Sequence, residues 1–392
     1  MKKLFTYILI IFSVLSCREK EVLPQIEPAS ISFSSPGVVQ TKSVLIEDKS
    51  QLEIGSGQLG YSVFAARYIP SATGAITRHE QFMNNVLVSS SNSGLTWSYD
   101  ADPDQEGVQQ LYWSPGAVHK FFAVYPYYEV EDGDNYTNND MYDLGLTYAI
   151  NEQAHALQVT GKHPVTEASL IDVDPGAIDP SVTKLICTGI DNAGKNLCPD
   201  ILYGVKLYSD PYSVSENRAP VKFTLNHALS AVSFRIRNAS EYKIDGVETQ
   251  NITGFKNASE FVQLSDDGPV WGPLYTVTEH TFKVPNITSP VESGQYYPTS
   301  GSEYWYTALL IPQNFGNQAT SPSFSFTVTF ASTDTKVYTI NFKDYQVHNN
   351  AENAFSFMPG YRYVYNINVT SSIISCHVDV VPWIEDEPIN LN

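Results

Sequence analysis

The chain has 392 residues, of which 42% are hydrophobic, so it is long enough to bury the cores of two ordinary domains. Its 42 acidic and 23 basic residues give a formal net charge of −19, which excludes electrostatic attraction to nucleic acid or to anionic membrane surfaces. Four cysteines are too few for a scaffold that depends on disulfides.

The chain begins with a short basic stretch and an apolar run. Lys2 and Lys3 precede residues 4–15, which are apolar apart from two hydroxyl residues and one tyrosine. As a helix this run would span roughly 18 Å, which is too short for the ~30 Å hydrocarbon core of a bilayer. The sequence therefore predicts a signal peptide over residues 1–16.

The signal ends in Val14-Leu15-Ser16-Cys17, which resembles a bacterial lipobox because a small residue directly precedes the cysteine. In that class of protein the cysteine is acylated and becomes the first mature residue, and several acyl chains together anchor a protein firmly. We expect Cys17 to attach an outer-membrane, cell-surface lipoprotein to lipid, and residues 17–28 to form a solvated tether. An ordinary cleaved signal with an incidental cysteine is the alternative.

Short runs with strand character recur along the rest of the chain, between clusters of Gly, Pro, Asn, Asp and Ser. The predicted strands are residues 30–34, 61–68, 85–90, 95–100, 119–126, 222–226, 231–238, 304–312, 323–332, 336–342, 361–369 and 375–383. In 323–330 every second residue is apolar, and in 361–369 the odd-numbered positions are tyrosine, isoleucine and valine. This pattern predicts an all-β fold of antiparallel sandwiches rather than a parallel α/β sheet.

A linker is predicted at residues 208–220, YSDPYSVSENRAP, where two prolines and several small polar residues separate strand-like runs. The linker divides the mature chain into an N-terminal β-sandwich domain, 29–215, and a C-terminal β-sandwich domain, 216–392.

Motifs for catalysis or cofactor binding are incomplete. GSGQLG (55–60) has the spacing of a dinucleotide fingerprint but precedes a strand pattern, so its glycines predict a turn. HEQFM (79–83) lacks the second histidine of a zinc helix. The acidic stretches 129–140 and 172–180 do not match EF-hand spacing, which favours solvated turns over calcium sites. We therefore predict no enzymatic activity and no cofactor.

A few residues remain of chemical interest. Cys187 and Cys198 flank the turn-rich segment 188–197 and are candidates for a disulfide, which would leave Cys376 as an unpaired thiol in a strand. His227 lies between two predicted strands and is interpreted as a hydrogen-bonded structural histidine.

The tryptophans suggest glycan binding as an alternative function, because exposed aromatic rings can stack on sugars. They are Trp97, Trp113, Trp271, Trp305 and Trp383. A glycan-binding surface lipoprotein would use them as platforms, although most alternate with apolar neighbours, which favours core positions.

Several segments, taken in order, resemble the fimbrillin (type V pilin) family of Bacteroidetes lipoproteins. After the signal come GQLGYSVFA (57–65), LYWSPGAVHKFFAVYPY (111–127), DILYG (200–204), VKFTLNHALSAVSFRI (221–236) and GYRYVYNINVTSSIISCHVDVVPWIED (360–386). Each motif is moderately specific, and their order over nearly the whole mature chain carries the resemblance.

This resemblance implies two transthyretin-like antiparallel β-sandwich domains in tandem. It implies a cell-surface fimbrial subunit, as stalk, tip or anchor, that supports adhesion to host or bacterial surface ligands. In polymerising members a trypsin-like protease cuts behind the first strand, and an extended segment of a neighbouring subunit fills the groove by strand addition. The implied partners are therefore other fimbrial subunits.

On this chain the resemblance places the first strand at residues 30–34 and the cleavage site at Thr41-Lys42-Ser43. Lys42 stands where the family usually has arginine, which disfavours processing by a protease specific for arginine. Members that stay anchored by lipid need no cut, so an anchor or accessory subunit is the alternative to a polymerising one.

Overall fold

The computed structural model describes residues 28–38, 52–55, 58–71, 76–90, 92, 94–99, 111–127, 146–152, 155–161, 163–164, 170–171, 184–190, 197–278, 280–298, 304–316, 322–332, 334–345 and 355–382. The predicted signal peptide, Cys17, Lys42 and both acidic stretches lie outside these residues. None of the described residues forms a helix of the length and hydrophobicity that crossing a bilayer requires.

Nearly all regular structure in the described residues is β. In chain order the strands are β1 (Gly37–Val38), β2 (Glu53–Gly55), β3 (Gln58–Pro70), β4 (Ile76–Ser90), β5 (Ser98–Tyr99), β6 (Val118–Tyr125), β7 (Leu146–Asn151), β8 (Ala156–Gly161), β9 (His163–Pro164), β10 (Leu170–Ile171), β11 (Lys184–Cys187), β12 (Leu202–Tyr208), β13 (Thr224–His227), β14 (Ser230–Asn238), β15 (Ile244–Thr249), β16 (Asn251–Ile252), β17 (Ala258–Ser259), β18 (Phe261–Ser265), β19 (Gly268–Trp271), β20 (Leu274–Val277), β21 (Phe282–Lys283), β22 (Tyr296–Tyr297), β23 (Tyr306–Leu310), β24 (Gln313–Gly316), β25 (Ser323–Phe330), β26 (Thr335–Asn341), β27 (Phe355–Phe357), β28 (Tyr361–Val369) and β29 (Ile374–Pro382). A 3-10 helix, Phe342–Asp344, follows β26. The predicted all-β class is confirmed.

The central sheet has the strand order β1-β13-β12-β6-β3-β4-β5, with β2 paired to β3. It is covered on both faces, because Phe121 and Ala123 of β6 lie in one core while Phe122 and Val124 lie in another. The uninterrupted apolar run in β6 fits a strand without a wet face. β2 pairs antiparallel with β3, with Gly55 opposite Gln58, while residues 56 and 57 of the turn predicted from the glycines at 55–60 lie outside the described residues.

A second sheet, β19-β18-β8-β7, packs over one face of the central sheet. Its side chains Leu157, Val159 and Val262 have no exposed surface and share a core with Phe64 and Phe122 of the central sheet. The opposite face of the central sheet is covered by irregular chain and by residues 28–38, which we call the first-strand segment.

The C-terminal sandwich has β14, β28 and β29 in one sheet, with β22 and β23 beside β14, and β15-β25-β26 in the facing sheet. Phe234 of β14 lies 5.0 Å, centroid to centroid, from Phe324 of β25 across the core. The alternation predicted for residues 323–330 is confirmed, since Phe324, Phe326 and Val328 are wholly buried.

Two features of the sheets differ from the expectation. The sheets are not purely antiparallel, because β14 pairs with β28, and β1 with β13, in parallel. The chain makes these parallel pairs through long crossover connections, which a local sequence pattern does not reveal. In β28 the predicted polar face is covered, since Arg362 and Asn366 are buried along with Tyr363 and Tyr365.

Strand pairing also crosses the boundary predicted at residue 215. β13 pairs with β12, and β17 and β18 pair with β11 and β8. Within the predicted linker, Tyr212 is only 2% exposed and belongs to the core beneath the central sheet, whereas most of residues 208–220 are exposed. The division into two transthyretin-like domains stays a prediction.

Candidate functional site

The first-strand segment lies between two stretches of chain that are distant in sequence. On one side it runs antiparallel to residues 111–113, where the Ile31 N–H donates to the Leu111 carbonyl at 2.8 Å. On the other side it runs parallel to residues 221–225, where the Val221 N–H donates to the Ser32 carbonyl at 2.8 Å. The segment therefore uses both of its backbone edges and ends in β1.

Alternate side chains of this segment enter the core. Ile31 has no exposed surface and Phe33 is 5% exposed, whereas Ser30 and Ser32 face solvent. This alternation, with Ile31 and Phe33 inside, fits the strand predicted at residues 30–34.

The Phe33 ring fills a slot lined by aromatic side chains. Its centroid lies 5.6 Å from Tyr99 and 6.3 Å from Phe121, both edge-on, and 6.3 Å from Phe223, which it stacks against. Burying a side chain of this size contributes about 1.5–3 kcal/mol, and edge-to-face contacts add to it. The site thus suits an extended segment with a large apolar residue at two positions, i and i+2.

Two tyrosine hydroxyls hold the backbone of the segment. The Ala29 N–H donates to the Tyr212 hydroxyl at 2.9 Å, and the Tyr99 hydroxyl donates to the Ile31 carbonyl at 3.3 Å. Tyr99 also accepts from the Leu111 N–H at 3.0 Å. Burial raises the pKa of Tyr99, so its phenol remains a hydrogen-bond donor at any physiological pH.

A buried histidine lies beneath the same face of the central sheet. The Ser114 N–H donates to Nε2 of His119 at 3.2 Å, and the Trp113 ring lies edge-on at 5.0 Å. Burial, reinforced by the charges of Arg218 and Arg67, lowers the pKa of His119 to about 4. The imidazole is therefore neutral around pH 7.

The cysteines and His227 are placed as follows. Cys187 and Cys198 are both buried, and each is a free thiol; a disulfide between them stays a prediction. Burial raises the pKa of Cys187 to about 12, and burial also raises the pKa of Cys198.

Nδ1 of His227 lies 2.9 Å from both carboxylate oxygens of Asp200 in a buried pair, so the structural interpretation of His227 is confirmed.

The structure describes four of the predicted sugar-stacking tryptophans, and all four are buried or partly buried. Trp113 and Trp305 are buried, while Trp97 and Trp271 are partly buried. Trp97, Trp271 and Trp305 each donate from Nε1 to a backbone carbonyl at 3.0–3.1 Å, which fixes them as structural groups. The glycan-binding alternative stays a prediction, and Trp383 lies outside the described residues. Among the described residues, no group of three or more His, Cys, Asp or Glu side chains is arranged to hold a metal ion.

Two contributors to the site, Trp113 and Tyr212, were not predicted from the sequence. Trp113 was considered as a sugar platform or a core residue, and its backbone contact with the first-strand segment was not foreseen: its N–H donates to the Ala29 carbonyl at 3.0 Å. Tyr212 lies in the stretch interpreted as a linker. Four aromatic or apolar residues in that stretch were the available signal, since an exposed linker rarely needs them.

Comparison with known proteins places the chain in a family. A fimbrial protein from Bacteroides vulgatus is 13% identical, covers 90% of this chain and 99% of its own, and has a TM-score of 0.46. A fimbrial assembly protein from Parabacteroides distasonis is 12% identical, covering 83% and 99%, with a TM-score of 0.34. The tip fimbrial protein Mfa3 from Porphyromonas gingivalis, with a C-terminal truncation, is 14% identical, covering 82% and 94%, with a TM-score of 0.31. No curated protein sequence matches the chain. The fimbrillin-like family model matches residues 151–383, which is more than half of the chain, and the chain therefore belongs to the fimbrillin-like family.

Proposed function

We propose that this protein is a cell-surface fimbrial subunit that contacts other subunits by exchanging its first strand and so supports adhesion. Membership of the fimbrillin-like family supports the fimbrial role. The observation that carries the exchange step is the first-strand segment. It pairs through both of its backbone edges with stretches that are distant in sequence, and its side chains lie in an aromatic slot.

Removal of the first-strand segment would leave a defined acceptor. The N–H and C=O groups of residues 111–113 and 221–225 would lose their partners, and the slot around Phe121 and Phe223 would open to water. Unpaired sheet edges and exposed aromatic rings both favour the entry of another extended segment. A neighbouring subunit that supplies such a segment would restore the lost bonds.

The chain itself suggests how the segment is released. Lys42 lies four positions after the end of β1, so a cut there would separate the first-strand segment from the rest of the chain without cutting a described strand. In our proposal Cys17 carries lipid and holds the precursor in the outer membrane until this cut. A subunit that keeps the segment serves as an anchor. The role in either state is structural and not enzymatic.

The experiment compares wild-type protein with Lys42→Gln after treatment with a trypsin-like protease. We expect the cut wild-type protein to give heat-sensitive oligomers on unboiled gels, and the variant to stay monomeric. A synthetic peptide of residues 28–38 in excess should prevent the oligomers, because it refills the slot.

The matched control is the same peptide with Ile31 and Phe33 both replaced by serine, which keeps the backbone but not the two buried side chains. It should not block assembly. Wild-type protein that is fully cut at Lys42 and stays monomeric would overturn strand exchange.

A further inference from the structure

Arg218 lies in a cage of three aromatic rings. Its guanidinium carbon is 4.9 Å from the centroid of Trp113, 5.0 Å from that of Tyr208 and 5.3 Å from that of Tyr212. These distances are within the range of cation–π attraction, which strengthens when the cation is removed from water. The Arg218 side chain is only 10% exposed, so the cage is largely desolvated.

Hydrogen bonds alone do not explain this position. Arg218 donates from Nε to the Glu216 carboxylate at 3.1 Å and from Nη2 to the Asp210 carbonyl at 3.0 Å. Nη1 is buried without a hydrogen-bond partner among the described residues. The aromatic rings therefore supply the remaining stabilisation of the buried charge.

Two of the three aromatic residues also hold the start of the first-strand segment, Trp113 through its backbone and Tyr212 through its hydroxyl. The Trp113 N–H donates to the Ala29 carbonyl at 3.0 Å, and the Tyr212 hydroxyl accepts from the Ala29 N–H at 2.9 Å. Tyr212 is fixed in turn by two backbone bonds, to Gly116 at 2.8 Å and Ala117 at 2.9 Å. Both backbone polar groups of Ala29 are thus held by residues whose rings contact Arg218.

We propose that residues 208–220 form a latch on the first-strand segment, with Arg218 as the positioning residue that keeps Trp113 and Tyr212 against Ala29. The inference rests on the proposed function in one respect: leaving the slot is the event that the latch opposes. The opposite end of the segment, at Gly37, is held by pairing with β13 and has no latch contact. After a cut at Lys42 the segment would therefore peel from Gly37 and be released last at Ala29.

The test measures amide hydrogen exchange in the intact, uncut chain. Arg218→Leu should raise the exchange rates of peptides covering residues 29–33 about tenfold, the effect of losing roughly one net hydrogen bond, and leave residues 34–38 near wild type. Arg237→Leu is the matched control, because Arg237 lies 5.6 Å from the exposed ring of Tyr296, away from the segment. The latch is overturned if residues 29–33 of Arg218→Leu exchange at the wild-type rate, or if residues 29–33 and 34–38 are accelerated equally.

Tyr212→Phe keeps the inference testable if Arg218→Leu does not fold. This variant retains the ring of the cage and removes only the hydroxyl, which accepts from the Ala29 N–H and donates to the Glu216 carbonyl at 3.4 Å. Residues 29–33 should again exchange faster, while Arg218 keeps the three rings of its cage. Unchanged exchange in Tyr212→Phe contradicts the latch. Since neither variant is cut at Lys42, these outcomes are independent of assembly: a working latch with no oligomers would overturn strand exchange alone.

Discussion

His119 lies on β6 with no exposed surface, and its pKa is lowered to about 4 by burial and by the nearby Arg218 and Arg67. In the unfolded chain a histidine has a pKa of about 6.5. The unfolded state therefore binds the proton more readily, and the stability that depends on neutral His119 is complete above pH 6.5. It is lost as the pH falls from about 6.5 towards 4.

We predict that His119→Gln makes the unfolding free energy less dependent on pH between pH 7 and pH 4. Gln offers a carbonyl oxygen to the Ser114 N–H in place of Nε2 but takes up no proton. Wild-type protein should lose up to about 3 kcal/mol of unfolding free energy between pH 7 and pH 4 through this group, and the variant should lose correspondingly less. Urea unfolding at several pH values measures both slopes. Parallel slopes in the two proteins would show that His119 is not the group responsible.

Two buried side chains, Ile31 and Phe33, anchor the first-strand segment in the core. Phe33→Ala should lower the unfolding free energy by about 3 kcal/mol. The ring contacts Tyr99, Phe121 and Phe223, and its removal leaves a cavity between them. The neighbouring Ser32 faces solvent, so Ser32→Ala should change the unfolding free energy by no more than about 0.5 kcal/mol. Equal effects in thermal or urea unfolding would mean that Phe33 does not anchor the segment.

Strands with one solvent-exposed face were predictable from the sequence. In β25 the alternation of Phe and Val with Ser and Thr is read directly as a buried and a solvated face, and burial follows it throughout. In β28 the same pattern misled, because Asn366 is buried and donates to Asp379 of β29 at 2.9 Å. A polar side chain that its neighbours cover, and that finds a hydrogen-bond partner at the edge of the fold, looks in sequence like an exposed one.

The candidate site was predictable only in part. The strand predicted at residues 30–34 is an extended chain with isolated bridges at Ser30 and Phe33, and the named strand β1 follows at Gly37–Val38. Nothing local in the sequence indicates that this segment pairs with Leu111 on one side and Val221 on the other. Pairing between distant segments is set by the tertiary core and not by short-range pattern. The latch was missed for a related reason, since two prolines in residues 208–220 outweighed the tyrosines as a signal.

The two halves of the molecule are joined by more than the chain that connects them. The Ala228 N–H donates to the Ile201 carbonyl at 2.8 Å, and β13 pairs with β12 across the same boundary. The buried pair of His227 with Asp200 lies at the same junction, at the start of β12 and the end of β13. Strands from both sides of residue 215 therefore depend on this region.

We predict that Asp200→Ala destabilises the whole molecule. Removing the carboxylate leaves the buried His227 imidazole without its charged partner, which should lower the unfolding free energy by roughly 3 kcal/mol. Asp245→Ala is the control, because Asp245 is exposed beside Lys243 and should change it by less than about 0.5 kcal/mol. Calorimetry measures both. A loss confined to one of two separate transitions would contradict coupling through this pair.

The position of Ala29 also has a consequence for the order in which the chain folds. Its hydrogen-bond partner Tyr212 is 183 residues further along the chain. Chains are synthesised and exported from the amino terminus, and contacts between distant residues form late because a long loop must close first. The stretch that emerges earliest is thus among the last to reach its place. We therefore expect a period during folding in which the slot is formed but still vacant, and in that period the chain's own first strand would compete with any strand nearby.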